Sequence, residues 1–423
     1  MADRDKRCRM PAFWFLPVAS PLHDEAALTH ILRDLEPALE GIGGARAGED
    51  EPAAREPLLY LLLTGGTEQR VLALGSGRAR YAPGEPTYLL AHPGHNSLPA
   101  ALEALARVRQ LGGRGRILYL RGPGDDEGLS RVREAAHDLA VWRALREARI
   151  GLVGEPSDWL VASSPDPAVV QAVWGPEIVH IDVADAIRRY LQASAPGGET
   201  LASSVSAGAT TAVEPGATEV ERAARIYPVL RELVRSGSLD ALAVRCFDLI
   251  VELRTSSCLA LAELNDEGII AGCEGDLVST VAMLWVHRLL GLLPWMANPA
   301  QVDEARNAVR VAHCMVPRSL VTGYRLRSHF ESGLGVSLEG ELPPGDVTLL
   351  RIGGSRMDEL WVAEGTALRT EPGEHVCRTQ LEVELSRGSV DELLRAPLGN
   401  HLVVVAGHHA DRLHDWWRAM IAT

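Results

Sequence analysis

Short apolar runs alternate with segments of helical periodicity over the N-terminal part of the chain. The runs occupy residues 58–63, 87–91, 116–120, 149–153, 178–183, 241–247 and 269–271. Continuous apolar residues are typical of parallel strands buried on both faces, and the intervening helices supply the cover. A second series of strands and helices begins at residue 149, so we predict two doubly wound α/β domains at 1–148 and 149–296.

From residue 297 the pattern changes to short strands separated by Gly and Pro. They occupy residues 309–312, 335–339, 347–352, 359–364, 377–385 and 401–406. Short strands at regular spacing are typical of an antiparallel sheet or barrel. The predicted fold class is therefore α/β, with two doubly wound parallel-sheet domains followed by a β-rich, barrel-like domain at 297–423.

One long connection has no clear pattern. Residues 194–218 are small and polar and contain Pro and Gly, so their composition favours a mobile loop over a lid. The next segment, 219–236, has the spacing of one amphipathic helix. The stretch 248–255 fits either a helix or a strand.

The charge balance excludes several classes of partner. The 423 residues carry a formal net charge of −14, which argues against nucleic acid and anionic membrane surfaces.

The apolar run 280–296 is too short to span a bilayer and contains His287 and Arg288. Six cysteines are scattered without a Cys-x-x-Cys spacing, so we expect a reduced, cytoplasmic protein.

The lysine content excludes three mechanisms. Lys6 is the only lysine, and it lies in a charged N-terminal segment. Schiff-base aldolases, pyridoxal-phosphate enzymes and Walker A nucleotide sites all need a positioned lysine. We therefore do not expect any of these chemistries.

Two acids follow the apolar strand 269–271 in a glycine-containing turn. Glu274 and Asp276 thus lie at a strand's carboxyl end, where open α/β sheets bind ligands. The run 277–296 has helical spacing, so Asp276 also fits the N-cap of that helix. Glu274 has apolar neighbours, where a carboxylate is costly without a metal or a partner. Glu274 is therefore the stronger candidate for a functional residue.

Two further metal-ligand types lie at other junctions of the chain. Asn298 lies where the α/β pattern gives way to short strands, and His401 opens the last strand. A carboxylate, an amide and an imidazole together suit a divalent metal. Each residue also has an ordinary explanation, because Asn before Pro is common in turns and His401 fits a surface hydrogen bond.

Three motifs resemble those of the L-fucose isomerase-like family. Cys-Glu-Gly-Asp at 273–276, Ala-Met-Leu at 282–284 and Leu-Leu-Gly at 289–291 are similar to its C-E-x-D…A-M-L…L-x-G segment. Val-Ala-Glu-Gly at 362–365 resembles its I-A-E-G strand, and 399–408 resembles its A-N-H-x-V-x-x-x-G-H close. The similarity is collinear from residue 245 onwards. In the residues before 245, only the alternation of strands and helices agrees with the family.

The resemblance implies an activity and a ligand set. Members of that family interconvert aldoses and ketoses through an enediol with a bound divalent metal, typically manganese, and the resemblance suggests a homo-oligomer (a trimer or a hexamer). Their metal-binding glutamate, aspartate and histidine fall on Glu274, Asn298 and His401. An amide at 298 is a departure, because it coordinates through oxygen but does not act as a base. Metal affinity is therefore expected to be lower.

The acid that is missing at position 298 has candidate replacements in Asp276, Asp248 and His313. The chemistry needs a base near the hydroxyl-bearing carbon and a Lewis acid that polarises two oxygens. We therefore expect Glu274, Asp276 and His313 to be catalytic, and the resemblance implies Mn²⁺ as the cofactor. The metal ligands implied by the resemblance are Glu274, Asn298 and His401.

These observations predict a metal-dependent intramolecular oxidoreductase that interconverts an aldose and a ketose, with an L-fucose- or D-arabinose-like sugar as substrate. Two alternatives stay open. One is a lyase, dehydratase or epimerase on the same scaffold, because an enediolate with a single shuttling acid can partition to elimination. The other is a non-catalytic sugar-binding protein.

Overall fold

A computed structural model describes residues 11–48, 57–192, 197–369 and 371–422. The chain divides into two compact units. One comprises Met1–Ala144 with Trp416–Met420, and the other comprises Leu145–Asp415 with Ile421–Thr423. No helix within the described ranges combines the length and the apolar character needed to cross a lipid bilayer.

The first unit is a parallel α/β layer. Its elements are β1 (Phe13–Val18), α1 (Glu25–Gly41), β2 (Gly44–Arg46), β3 (Leu58–Leu62), α2 (Glu68–Arg78), β4 (Thr87–Ala91), α3 (Ser97–Gln110), β5 (Gly115–Tyr119) and the start of α4 (Asp126–Glu147). The five strands are all parallel, in the order β2-β1-β3-β4-β5. Leu16, Leu62 and Leu89 are fully buried in its core, as expected for strands covered on both faces.

The second unit begins with another parallel sheet, in the order β7-β6-β8-β9. Its elements are β6 (Arg149–Val153), α5 (Pro167–Val173), β7 (Glu177–Ile181), α6 (Val183–Gln192), α7 (Gly198–Gly208), α8 (Ala217–Ala224), α9 (Ile226–Gly237), β8 (Ala241–Val244), α10 (Cys246–Leu253), α11 (Cys258–Asp266), β9 (Ile270–Gly272) and α12 (Leu277–Leu290). Helix α12 is buried along most of its length, which explains why its sequence is apolar on every side.

A closed antiparallel barrel completes the second unit. The elements from here on are β10 (Trp295–Asp303), β11 (Ala308–His313), β12 (Tyr324–Arg327), β13 (Ser337–Gly340), β14 (Gly345–Gly353), β15 (Glu359–Leu368), β16 (Thr379–Arg387), α13 (Val390–Arg395), β17 (Leu402–Ala406) and α14 (Ala410–Met420), with a 3₁₀ turn at Arg318–Leu320. The barrel order is β10-β11-β16-β15-β14-β17, and β17 closes it by pairing with β10. Strands β12 and β13 form a separate two-stranded sheet. The predicted fold class is thus confirmed.

The predicted loop at 194–218 was wrong for its central part, which forms helix α7; residues 193–196 lie outside the described ranges. Leu201 and Val205 of α7 are buried, and the Tyr324 hydroxyl donates a hydrogen bond to the Val205 carbonyl at 2.9 Å. Tertiary packing therefore outweighs the weak helix propensity of this small, polar sequence. The single helix predicted at 219–236 is interrupted at Arg225 between α8 and α9. Pro228, in the first turn of α9, has no N–H to continue the ladder of α8.

The barrel register brings three chain segments of the predicted site together. Asn298 pairs with Ala312, the neighbour of His313. Ala297 pairs with Leu402, the residue after His401. Strand β10 thus lies between β11 and β17, and the backbone of Asn298 lies between the segments that carry the two histidines.

Candidate metal centre

Glu274 lies in a strained turn between β9 and α12. Its φ is +62°, and that of Gly275 is +69°. A left-handed conformation costs a residue with a side chain roughly 1–2 kcal/mol, and such strain is usually kept at functional positions. Hydrogen bonds hold the turn on both sides, from the Ser157 N–H to the Glu274 carbonyl and from the Gly275 N–H to the Val244 carbonyl, each at 2.9 Å.

Gly275 is required by a close approach of two loops. A Cβ at this position would lie 2.9 Å from the Glu155 carbonyl oxygen and from Pro156 Cα. Backbone atoms cannot yield to such a contact, so any larger residue would displace the turn. The loop after β6 therefore fixes the place at which the Glu274 side chain enters the site.

Asp276 is the N-cap of α12, and it is completely buried. Its Oδ1 accepts a hydrogen bond from the Ser279 N–H at 2.8 Å, and its Oδ2 accepts one from the Ser279 hydroxyl at 2.8 Å. Burial alone would raise the pKa of Asp276, but the Arg351 charge and the hydrogen bond from His401 hold it well below its usual range. Asp276 is thus an ionised group inside the protein.

Arg351 is the cationic partner of Asp276, and its side chain is only 1% exposed. Its Nη1 donates to Asp276 Oδ2 at 3.2 Å and to the Ser279 hydroxyl at 2.6 Å. Its Nη2 donates to the Ser163 hydroxyl at 2.5 Å. A buried ion pair is tolerated when further hydrogen bonds satisfy both groups, as they do here.

His401 joins Asp276 to the centre of the site. Its Nδ1 lies 2.9 Å from Asp276 Oδ2, and because a carboxylate only accepts, this nitrogen carries the proton. Its Nε2 lies 3.4 Å from Glu274 Oε1 and is buried, with no hydrogen-bond partner among the described residues. Burial would lower the pKa of His401, but the two carboxylates raise it to about 9. At pH 7 the ring therefore also carries a proton on Nε2. A divalent cation bound at Nε2 would replace this second proton.

His313 occupies the third side of the cluster. Its Nε2 lies 4.0 Å from Glu274 Oε1, and its ring centroid lies 5.5 Å from that of His401. Burial lowers the pKa of His313 to about 3, so the ring is neutral at pH 7. Its Nδ1 accepts a hydrogen bond from the Met315 N–H at 3.3 Å, which leaves the proton of the neutral ring on Nε2.

Glu274 receives its remaining hydrogen bond from an indole. Trp159 Nε1 donates to Glu274 Oε2 at 2.6 Å, although half of the Trp159 side chain is exposed. Burial would raise the pKa of Glu274, but His401, His313 and the Trp159 hydrogen bond lower it to about 2. Glu274 is therefore an ionised carboxylate beside two imidazoles.

The donor set fits a divalent cation. Glu274, His313 and His401 each have a potential ligand atom within 4.8 Å of those of the other two. In the tautomer described above, His313 has no lone pair free for an ion, so the Glu274 carboxylate and His401 Nε2 are the donors. A buried carboxylate with a histidine whose second nitrogen is held by another carboxylate is the usual construction of a protein metal site. The unpaired Nε2 of His401 is the atom that such an ion would satisfy.

The structure brings most of the predicted residues together. Glu274, His313 and His401 form the cluster, and Asp276 contacts it through its hydrogen bond with His401 Nδ1. Asn298 is placed beside both histidine-bearing segments by the strand register. Asp248 instead forms an ion pair with Arg245 at 2.9 Å.

Two residues of the site were missed by the sequence analysis. Arg351 had a detectable signal, because an arginine inside the apolar strand 347–352 needs a buried partner. Trp159 had none, because its contact with Glu274 joins positions that are distant in the chain and lie in different loops.

No family model matches the chain, but its sequence is similar to those of sugar isomerases. It is 29% identical over 283 residues to the sulfoquinovose isomerase of Alkalicoccus urumqiensis, an alignment that covers 64% of this chain and 62% of that protein. It is 25% identical over 314 residues to the sulfoquinovose isomerase of Priestia aryabhattai, covering 71% and 70% of the two chains. A sulfoquinovose isomerase of Clostridium sp. (strain MSTE9) is 27% identical over 201 residues, which is 45% of this chain and 44% of that one.

These relatives are enzymes by name, in agreement with the predicted class of protein. The chain matches less than two thirds of the length of the Alkalicoccus protein.

Proposed function

We propose that this protein is a metal-dependent aldose–ketose isomerase, related to the L-fucose isomerase-like family, and that its substrate is sulfoquinovose or a similar sulfonated hexose. One observation carries the proposal: Glu274, His313 and His401 come from three distant segments and meet in one buried cluster. The names of the relatives support the substrate class. They also favour an isomerase over the lyase, dehydratase or epimerase alternatives.

Glu274 and His401 would hold the metal, with the amide oxygen of Asn298 as a further ligand. Carboxylate, imidazole and amide donors suit a cation of intermediate hardness, and we propose Mn²⁺. When bound, the ion supplies a Lewis acid for the two neighbouring oxygens of the sugar. Asp276 would orient His401 by accepting a hydrogen bond from its Nδ1–H, as outer carboxylates do for metal-binding histidines.

Glu274 would act as the base, and His313 would act as a hydrogen-bond donor to the carbonyl oxygen. Aldose–ketose interconversion removes a proton from one carbon and returns it to its neighbour through an enediol, and an ionised Glu274 is the base that lies in the cluster. His313 presents an Nε2–H toward the same place, because its Nδ1 is occupied by the Met315 N–H. A neutral histidine of this kind polarises a carbonyl by hydrogen bonding without becoming charged.

Assembly and location follow from the resemblance and from composition. We propose a homo-oligomer in the cytoplasm, with a small sugar as the partner of the site. Sedimentation of the purified chain would show its assembly state.

Metal analysis and product identification test the proposal. The full chain, stripped with a chelator and reloaded with Mn²⁺, should convert sulfoquinovose to its ketose isomer, as followed by NMR. Glu274→Gln and His401→Gln should each lose bound Mn²⁺ and turnover. His180→Gln is the matched control, because the His180 ring is 53% exposed. Absence of both Mn²⁺ binding and sugar turnover in the unaltered protein would refute the proposed function.

A further inference from the structure

We propose that Arg378 binds the anionic group at the end of the sugar remote from the reacting carbons, namely a sulfonate. The inference rests on the proposed function and adds to it the residue that would select a charged substrate. Four features of the second unit support it: the position of Arg378, its contacts, its uncompensated charge and the aromatic wall that leads to it.

Arg378 lies beside the metal centre by strand register. His313, the last residue of β11, pairs with Thr379, the first residue of β16. Arg378 immediately precedes Thr379. Its backbone is therefore next to the end of β11 that carries His313 into the cluster.

The guanidinium of Arg378 is held in place but keeps a free edge. Its Nε donates to the Ser328 carbonyl at 2.9 Å, and its Nη2 donates to the Ser328 hydroxyl at 3.2 Å. Its Cζ lies 5.6 Å from the centre of the Phe330 ring. Nη1 makes no hydrogen bond with any described residue, and the side chain is 14% exposed. A fixed guanidinium with a free donor is a preorganised anion site.

The charge of Arg378 is not balanced by a dedicated carboxylate. Within the described ranges, the one carboxylate in ion-pair range is that of Glu214, whose Oε1 lies 3.9 Å from Arg378 Nη2. Arg327 already makes hydrogen bonds of 2.7–2.9 Å with Glu214. By contrast, Arg351 donates to Asp276, and Arg245 donates to Asp248 and Asp158.

An aromatic wall connects Glu274 with the region of Arg378. Trp159, which donates to Glu274, lies edge-on to Phe247 with ring centroids 4.8 Å apart. Phe247 in turn lies 5.4 Å from the ring of His329, the residue after Ser328. Burial, opposed by Glu274 and reinforced by the Arg378 charge, lowers the pKa of His329 to about 4, so the ring is neutral at pH 7.

The chemistry of a sulfonated hexose fits this arrangement. A sulfonic acid is a strong acid, so its sulfonate stays anionic at every pH at which the protein is folded. The protein carries a net charge of −14, so such a substrate needs a local cation. Guanidinium groups bind tetrahedral oxyanions through charge-assisted hydrogen bonds. In this arrangement the reacting carbons lie at Glu274, the ring packs along the aromatic wall, and the sulfonate meets Arg378 Nη1.

A binding comparison tests the inference without turnover. Calorimetry on the full chain would measure Kd for sulfoquinovose and for quinovose, the same sugar without the sulfonate. We expect the unaltered protein to prefer sulfoquinovose. Arg378→Gln should weaken sulfoquinovose binding about 10- to 100-fold, the usual range for a lost charge-assisted hydrogen bond, and leave quinovose unchanged. Arg378→Lys keeps the charge and should retain part of the preference.

The matched control is Arg306→Gln, at the other end of β11, where Arg306 bonds the exposed carboxylates of Glu382 and Glu384. It should leave both Kd values unchanged. Three results would overturn the inference: an unaltered protein that does not distinguish the two sugars, a preference that survives in folded Arg378→Gln, or an equal loss of preference in the Arg306→Gln control. A sulfonate preference without isomerisation would overturn the proposed function alone, because binding needs no chemistry.

Discussion

His401 Nδ1 donates a hydrogen bond to Asp276 Oδ2 across 2.9 Å, and both side chains are completely inaccessible to solvent. The same carboxylate caps helix α12 and pairs with Arg351. One residue therefore serves the fold and the proposed metal centre at once.

Replacing Asp276 by Asn should weaken Mn²⁺ binding about 10- to 100-fold, because the amide no longer holds His401 as a carboxylate does. The helix cap is preserved, since Asn is a good N-cap. Stability should nevertheless fall by about 3–5 kcal/mol, because Arg351 becomes an unpaired buried charge. Adding Arg351→Met should restore much of the stability but not the metal affinity. Recovery of both in a calorimetric titration would contradict the role given to Asp276.

His313 and His401 should differ when each is replaced by Gln. We expect His401→Gln to lose bound Mn²⁺, because its Nε2 faces Glu274 without another partner. His313→Gln should keep most of the metal and lose turnover about 10²- to 10³-fold, the range for the loss of one donor to a developing oxyanion. Metal content by atomic emission and turnover by NMR give the two readouts. Loss of Mn²⁺ in His313→Gln would make His313 a ligand instead.

Trp159→Phe removes one donor and keeps an aromatic ring. Without the indole N–H, the pKa of Glu274 should rise from about 2 toward 4.5, because one of the groups that lower it is gone. The acid limb of the activity profile should then move to higher pH. A pH–rate profile of both proteins measures this, and superimposable acid limbs would show that the indole does not tune Glu274. Trp361→Phe, on the barrel, is the control.

Stability without added metal should fall as the pH rises through the alkaline range. The pKa of His401 is raised from 6.5 to about 9 in the folded protein, so its contribution is complete below pH 6.5 and is lost toward pH 9. Thermal unfolding at a series of pH values would show this slope, and His401→Gln should lack it. Saturating Mn²⁺ should flatten it, because the ion replaces the proton. An equal slope in His401→Gln would assign the effect to other groups.

Asn298→Asp restores a carboxylate beside the two histidine segments. Metal affinity should rise on the order of tenfold, since affinity for hard cations increases with the number of charged ligands. A Mn²⁺ titration measures it. Asn307→Asp, at the other end of the β10–β11 hairpin, controls for a general change of charge. Unchanged affinity in Asn298→Asp would remove position 298 from the ligand set.

The sheets, the barrel and the acid-bearing turn are predictable from the sequence, because each has a local pattern. Apolar runs indicate strands buried on both faces, and a carboxylate among them indicates a metal or hydrogen-bonding partner. Helix α7 was missed because its stability comes from contacts with distant residues such as Tyr324. Strand β10 was missed because its first residues continue the apolar run of α12 without a break in composition.

The Trp159 contact with Glu274 and the tautomer of His313 could not be predicted from the sequence either. Each depends on where one hydrogen-bonding atom lies relative to another, at 2.6 Å and 3.3 Å. No periodicity in the chain encodes such a distance. The convergence of Glu274 and His401 was proposed from their residue types, and the resemblance to a known family strengthened it.

Strand β17 closes the barrel and directly follows His401. During synthesis Glu274 and His313 leave the ribosome before His401, so two of the three residues of the cluster emerge before the strand that closes the barrel. If Glu274 and His401 bind the proposed ion, the two ligands come together only when β17 pairs with β10, so the order of synthesis makes metal binding a late step of folding.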